Sequence, residues 1–239
     1  MKLIFIRHGD PDYANDSLTE KGVKEATLLA QRVKSWENIT QIYASPKGRA
    51  QKTASYSLNA MGRDAITFEW LREFSYDVTS PGRGFKHVPW DFYPTYWKIQ
   101  PILYDKDNWA SAEIFEGTDV KKDSIWVYEN FDKLLSEYGY VRNNQGIYEV
   151  DHENDDTTLV FFCHLGISYL LIGHLLGIAP TVLWHTFFTA PTSVTIIGSE
   201  EMEKGYANFR IQVMGDTSHL RFGNEPVSKS GYFTNCFDK

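Results

Sequence analysis

The chain has 239 residues, of which 42% are hydrophobic and 23% charged, and its formal net charge at pH 7 is −7. This composition is typical of a folded protein, and the negative charge gives no support to nucleic acid or an anionic membrane as a partner. No apolar stretch reaches the length of a membrane span, and the apolar run at the N-terminus is too short for a signal peptide. The two cysteines, Cys163 and Cys236, lie in different contexts and are expected to be unpaired, which favours a reducing, cytoplasmic location.

The first part of the chain alternates predicted strands and helices. Residues 3–6 form a continuous apolar run that predicts a buried parallel strand. Residues 17–20 offer a capping box for a helix, and residues 39–44 predict a second strand. Arg49 opens a second helix, and residues 65–71 predict a third strand. This order predicts an α/β protein with a mostly parallel sheet and helices on both faces.

From residue 74 to about residue 123 the pattern breaks, and prolines alternate with aromatic residues. Long irregular segments within compact domains are usually lids or binding loops. We therefore expect one domain over residues 1–239, with residues 74–123 inserted as a lid over the active site. The residues that mark this insertion are Pro81, Pro89, Trp90, Phe92, Tyr93, Pro94, Tyr96, Trp97, Pro101 and Trp109.

Regular patterns return after the insertion. Residues 124–138 place apolar side chains at helical spacing, and residues 158–163 predict a core strand that ends at His164. Residues 166–176 predict an apolar helix with Gly177 as its C-cap. Residues 193–197 and 209–213 predict a hairpin.

Side chains able to bind and transfer a phosphoryl group follow several of these strands directly. Arg7 and His8 come after the first strand, Arg49 after the second, Glu73 after the third, and His164 after the core strand at 158–163. The ligand crevice of an open α/β sheet lies at the carboxyl ends of its strands, so we expect these five side chains to converge there.

The five side chains suit phosphate-ester chemistry. Arg7 and Arg49 would neutralise a phosphate dianion, which lets a neutral imidazole of His8 attack phosphorus and form a phosphohistidine. Glu73, with its pKa raised by burial and by the phosphate, would protonate the leaving group, and His164 would donate to the phosphoryl oxygens. The arginines and histidines supply the positive field, so no metal or other cofactor is expected.

A set of short motifs resembles the histidine phosphatase superfamily, in its phosphoglycerate mutase-like branch, and occurs in the family's order. The motifs are Arg7-His8-Gly9, Ser17-Leu18-Thr19-Glu20-Lys21-Gly22, Ser45-Pro46-Lys47-Gly48-Arg49-Ala50-Gln51-Lys52-Thr53-Ala54, Leu71-Arg72-Glu73 and Cys163-His164. The resemblance implies a three-layer α/β/α sandwich. It also implies that His8 is the nucleophile, Glu73 the proton donor, and Arg7, Arg49 and His164 the phosphate pocket. Asn15 is a further candidate for contact with the phosphate.

Some features depart from the family pattern. Leu165 stands where the family usually has glycine after the second histidine, and it is a further candidate for phosphate binding. Leucine is strained there if this backbone needs a positive φ, and nothing is lost if only its N–H binds the phosphate. The tandem arginines of the mutases are missing, since Arg83 and Lys86 are the only arginine or lysine residues between positions 74 and 97. This favours hydrolysis.

The expected function is therefore that of a phosphomonoesterase acting on a small phosphorylated metabolite. The alternatives are a phosphoglycerate-type mutase and a non-catalytic domain that binds a phosphorylated ligand. The sequence leaves open whether the chain forms a homodimer.

Overall fold

The structure, a computed structural model, describes residues 1–82, 84–151, 156–232 and 234. Cys236 and Arg83 lie outside the described residues. The strands are β1 (Lys2–Arg7), β2 (Pro11–Asp12), β3 (Ser17–Leu18), β4 (Gln41–Ala44), β5 (Ile66–Thr67), β6 (Tyr140–Arg142), β7 (Tyr148–Val150), β8 (Thr158–Cys163), β9 (Val194–Glu203) and β10 (Tyr206–Asp216). The α-helices are α1 (Glu20–Val33), α2 (Gly48–Met61), α3 (Pro94–Trp97), α4 (Val120–Ser136), α5 (Leu165–Leu176), α6 (Pro180–Thr186) and α7 (Ser218–Phe222).

Eight strands form one mixed sheet in the order β5-β4-β8-β1-β9-β10-β7-β6. The pairs β5-β4, β4-β8 and β8-β1 are parallel, and the pairs from β1-β9 onward are antiparallel. The predicted α/β class is confirmed, with a parallel half that carries the helical crossovers and an antiparallel half built on the predicted hairpin, here β9 and β10. Among the described residues, no helix is both long and apolar enough to cross a membrane.

Strands β1, β4 and β8 are covered on both faces, and successive side chains of each strand point to opposite faces. In β1, Leu3 and Phe5 pack with α4, α5 and the insertion, whereas Ile4 and Ile6 pack with Leu29 of α1 and other residues of α1 and α2. This arrangement is the predicted three-layer sandwich. It explains why the strands read as continuous apolar runs rather than alternating ones.

Two predicted elements differ in detail from the structure. The capping box predicted Ser17 as the N-cap of α1, but the N-cap is Thr19, whose hydroxyl accepts the Gly22 N–H at 3.1 Å. The predicted strand at 65–71 is shortened to β5, and the chain then turns through a 3-10 helix at Glu69–Leu71. Both residues of β5 are exposed, so this end of the segment lacks the burial that would extend an edge strand.

The insertion at 74–123 contains α3 and three 3-10 turns at Pro101–Tyr104, Trp109–Ser111 and Glu113–Phe115. Its aromatic side chains do not form a separate cluster. Phe92, Trp97 and Trp109 belong to the same hydrophobic cluster as the sheet face and α5. The segment is therefore packed against the core, and its role as a lid stays a prediction.

A buried carboxyl lies in α1, beneath the loop that follows β1. Glu25 is fully buried, and its Oε2 accepts the Asp10 N–H at 2.8 Å, while Lys21 Nζ lies 3.9 Å from its Oε1. Burial raises the pKa of Glu25 from 4.5 to about 7, so the unfolded chain releases this proton at lower pH than the folded chain. Ionisation of Glu25 therefore costs folding free energy as the pH rises from 4.5 to about 7.

We expect Glu25→Gln to remove this pH-dependent cost. The free energy of unfolding of the variant, relative to the wild type, should rise by up to about 3 kcal/mol as the pH rises through that window. Urea unfolding at a series of pH values measures it, with Glu20→Gln, an exposed change in the same helix, as the control. Parallel pH profiles for Glu25→Gln and the wild type would contradict the expectation.

Candidate active site

Three parallel neighbours, β4, β8 and β1, end at the same level and present Ser45, His164 and His8 in a row. In the register of β1 and β8, Arg7 is opposite Cys163. The His8 N–H donates to Cys163 O at 3.0 Å, and the Ser45 N–H donates to Phe162 O at 2.9 Å. The two imidazole rings lie 5.0 Å apart, measured between centroids. The predicted convergence of the two histidines is therefore present in the structure.

The protonation state of His8 follows from its hydrogen bonds. His8 Nδ1 lies 2.8 Å from Gly9 O, and a carbonyl oxygen only accepts, so Nδ1 carries the proton. The other nitrogen, Nε2, accepts from Arg49 Nε–H at 3.3 Å. Burial, and then the charge of Arg7, lowers the pKa of His8 to about 3. Nε2 is therefore an unprotonated, nucleophilic nitrogen at neutral pH.

His164 is held by the hydroxyl group of Ser45, which was not among the predicted site residues. His164 Nε2 lies 2.7 Å from Ser45 Oγ, which also accepts the Lys47 N–H at 3.2 Å. His164 Nδ1 is buried, and no hydrogen-bond partner for it is found in the described part of the chain. Burial and the neighbouring His8 lower the pKa of His164, so its ring is neutral. This pattern is consistent with a proton on Nδ1 that is available to an incoming oxygen.

Both predicted arginines lie close enough to His8 for their charges to lower its pKa. Arg7 Nη1 donates to Thr189 O at 2.6 Å, and its guanidinium carbon lies 5.5 Å from the centroid of the Phe188 ring. Arg7 Nε is buried, and it too has no partner among the described residues. Buried polar groups are nearly always hydrogen-bonded, so unpaired atoms on both Arg7 and His164 indicate a place for a ligand oxygen.

Glu73 reaches the same site although the strand predicted to precede it is short. After the 3-10 turn, Glu73 Oε1 accepts the N–H groups of Phe74 at 2.9 Å and of Ile167, in the first turn of α5, at 3.1 Å. Burial raises the pKa of Glu73, and the opposing effects of the Ile167 N–H and the two arginines are smaller. The group is therefore suited to hold a proton as a general acid.

Gly166 is the residue that lets Glu73 and Trp90 approach α5. A Cβ atom at Gly166 would lie 2.6 Å from Glu73 Oε1 and 2.5 Å from Cζ3 of Trp90. Trp90 comes from the insertion and is only partly buried. One edge of its indole therefore lies beside the candidate acid.

Leu165 and Asn15 are the two further candidates for contact with the phosphate. Leu165 is the first residue of α5, and its backbone is outside the left-handed region, so leucine in place of glycine causes no backbone strain there. Asn15 is exposed, and its amide donates to Asp12 Oδ2 at 2.7 Å. The structure thus does not bring Asn15 into contact with the histidines or arginines, and contact of either residue with phosphate stays a prediction.

Asp16, next to Asn15, makes a contact with the site that was not predicted. Asp16 Oδ1 lies 2.7 Å from Arg49 Nη1, and Oδ2 accepts the Gly48 N–H at 2.7 Å. No local sequence signal marked Asp16, because its partners are more than thirty residues away. Ser45 could have been found, since it follows β4 as His8 follows β1.

A separate cavity of about 200 Å³ lies where the insertion meets α4 and the end of α5. None of the predicted site residues lines it. It includes Lys106, Lys121, Arg142 and His174. Among the described residues, no group of three or more histidine, cysteine, aspartate or glutamate side chains could hold a metal ion.

Comparison with known proteins finds similarity to one family over the N-terminal part of the chain. Residues 3–99 match the model of the histidine phosphatase superfamily, branch 1, and this range holds Arg7, His8, Arg49 and Glu73. A probable phosphoglycerate mutase from Yersinia pestis is 33% identical over 87 residues, which are 33% of this chain and 40% of that protein. The alignment thus spans about two fifths of the length of the curated relative.

Solved structures of phosphatases share the fold over most of the chain. A phosphoserine phosphatase from Entamoeba histolytica, in complex with phosphoserine, has a TM-score of 0.57 at 23% identity and covers 92% of this chain and 98% of its own. A mycobacterial glucosyl-3-phosphoglycerate phosphatase has a TM-score of 0.58 at 18% identity, with coverage of 90% and 98%. A putative alpha-ribazole-5'-P phosphatase from Escherichia coli has a TM-score of 0.58 at 19% identity, with coverage of 91% and 98%. Residues 3–99 thus match the histidine phosphatase superfamily, branch 1, and most of the chain shares its fold with these solved phosphatases.

Proposed function

We propose that the protein is a metal-independent phosphomonoesterase that acts on a small phosphorylated metabolite through a phosphohistidine at His8 Nε2. The observation that carries this proposal is the state of His8: its Nε2 is unprotonated, lies 3.3 Å from Arg49 Nε and faces a second neutral histidine across 5.0 Å. The buried Arg7 Nε and His164 Nδ1, unpaired within the described chain, are donors for a tetrahedral oxyanion at this point.

The first half-reaction transfers the phosphoryl group to the enzyme. Arg49 Nε–H leaves His8 Nε2 for a phosphoryl oxygen, which frees the nitrogen lone pair to attack phosphorus. The N–P bond forms as the bond from phosphorus to the ester oxygen breaks, and that oxygen takes its electron pair and then the proton of Glu73. Arg7 and His164 Nδ1–H stabilise the charge on the remaining oxygens.

The second half-reaction returns the enzyme to its starting state. Water attacks phosphorus and gives a proton to the Glu73 carboxylate, while the N–P bond breaks and its electron pair returns to His8 Nε2. Inorganic phosphate then leaves. Positive charge at each step comes from Arg7 and Arg49, which is the physical basis for proposing that no metal takes part.

The surroundings of the pocket favour a leaving group with a planar or apolar part. Trp90 lies beside Glu73, where the ester oxygen must be protonated. Phe188 lies against Arg7, and the ring of Tyr13, which is 66% exposed, has its centroid 5.5 Å from the Arg49 guanidinium carbon. Partly exposed aromatic rings at a binding site supply contact area to planar groups.

We expect the purified protein to release inorganic phosphate from p-nitrophenyl phosphate and from part of a panel of sugar phosphates, nucleotides and phosphorylated cofactors. Turnover should persist after treatment with a chelator. The assay includes 3-phosphoglycerate, because the mutase alternative predicts formation of its isomer without phosphate release. That result would contradict hydrolysis as the main activity, and vanadate binding without any turnover would support a non-catalytic role instead.

A further inference from the structure

Asp16 accepts hydrogen bonds from two donors of the kind that bind a phosphate. Its Oδ1 accepts from Arg49 Nη1 and its Oδ2 accepts from the Gly48 N–H, each at 2.7 Å. Gly48 is the first residue of α2, and the N-cap residue Lys47 has no side-chain capping bond, so Asp16 caps this helix from another part of the chain. A guanidinium together with the N-terminus of a helix is a common arrangement for binding phosphate oxygens.

The backbone is shaped to allow this contact. Asp16 has a φ of +44°, in the left-handed region that few residues other than glycine adopt. Gly48 has no side chain, and a Cβ atom there would collide with the backbone oxygen of Asp16. Although partial burial raises it, the pKa of Asp16 is held below its usual value by the Gly48 N–H and by Arg49, so the carboxylate is charged at neutral pH.

Within the described residues, the Arg49 guanidinium donates hydrogen bonds to two side chains, and both contacts bear on phosphate binding. Its Nε–H donates to His8 Nε2, and its Nη1 donates to Asp16 Oδ1. Because Asp16 holds Arg49 Nη1, an incoming phosphoryl group meets a guanidinium whose positive charge is already partly balanced by this carboxylate. Asp16 also reduces the charge that Arg7 and Arg49 together present to a dianion, from two positive charges to one.

We propose that Asp16 is an internal anion that competes with the phosphoryl group of substrate and product for Arg49 and so limits the affinity of the site for phosphate dianions. This inference rests on the proposed phosphatase function of the same site. Its consequence for the reaction is that inorganic phosphate is held weakly enough to leave after each turnover.

The test compares the binding of inorganic phosphate and of vanadate to the wild type, Asp16→Asn and Asp16→Ser by isothermal titration calorimetry. Both variants remove the charge, and both new side chains are good N-caps, which preserves the start of α2. We expect both to bind each anion roughly tenfold more tightly. The KM for p-nitrophenyl phosphate should fall similarly, without an increase in kcat. Asp64→Asn, an exposed change just beyond the other end of α2, should leave binding and turnover as in the wild type.

A purely structural role for Asp16 predicts the opposite sign, because a less well-placed Arg49 would bind phosphate more weakly. Unchanged or weaker binding in both variants, with a native circular dichroism spectrum and with turnover in the wild type, would overturn this inference alone. A wild-type protein that binds neither anion and hydrolyses no ester would overturn the proposed function as well.

Discussion

Replacement of His8 by alanine is expected to lower the turnover of every phosphate ester by roughly 10⁴-fold or more, because the N–P bond can no longer form. When the wild type reacts with a substrate labelled in its phosphoryl group and the reaction is then quenched, the protein should carry the label. This label should be lost in acid and retained in base. The His8→Ala protein should carry none. Rapid-quench labelling and steady-state phosphate release measure the two effects.

The control for this experiment is His174→Gln, which removes a histidine that lies outside the site. His174 Nε2 is 2.9 Å from each oxygen of Asp132, and its ring stacks on Tyr128. This variant should retain both turnover and the label. A His8→Ala protein that is folded and still forms an acid-labile phosphoryl adduct would remove His8 as the nucleophile.

Replacement of Glu73 by glutamine is expected to act selectively on poor leaving groups. Alkyl phosphates, whose alkoxide needs a proton, should slow by about 10² to 10⁴, whereas p-nitrophenyl phosphate should be little affected. A glutamine Oε1 can still accept the N–H groups of Phe74 and Ile167, so the local structure is preserved. The measurement is kcat/KM for the two ester types.

The pH profile provides a second readout for Glu73. The acid must be protonated to act, and burial raises its pKa, so the rate with alkyl esters should fall as the pH rises through that value. Glu73→Gln should lose this dependence, whereas Glu69→Gln, an exposed change in the preceding turn, should keep it. Equal losses on both ester types would mean that Glu73 is not the acid.

The strand-end rule located most of the site without knowledge of the tertiary structure. It placed His8 and His164 correctly because β1 and β8 are buried parallel neighbours, and the apolar runs that form them are visible in the sequence. It also selected Glu73, although the strand predicted before it shortens to two residues. The 3-10 turn brings Glu73 close to α5 in space, where the Ile167 N–H donates to its carboxylate.

The strand-end rule says nothing about residues whose position depends on loops. Asn15 was a candidate from the family resemblance; in the structure its amide donates to Asp12, and the neighbouring Asp16 contacts Arg49. One residue of displacement along a turn changes which side chain faces the site, since turns lack the regular spacing of a helix or strand. The sequence showed that the insertion is rich in aromatic residues. It did not show that Trp90 lies beside Glu73.

By itself, the sequence indicated the α/β class and the candidate site residues: the candidate nucleophile, the second histidine, the two arginines and the candidate acid. These follow from patterns of a few neighbouring residues, because burial and strand direction impose a local periodicity. Only the tertiary structure decided the proton position on His8, the support of His164 by Ser45, the contact of Asp16 with Arg49, and the approach of Trp90 and Phe188. Each of these joins segments that are distant along the chain, and their distances depend on how whole elements pack, which no local pattern encodes.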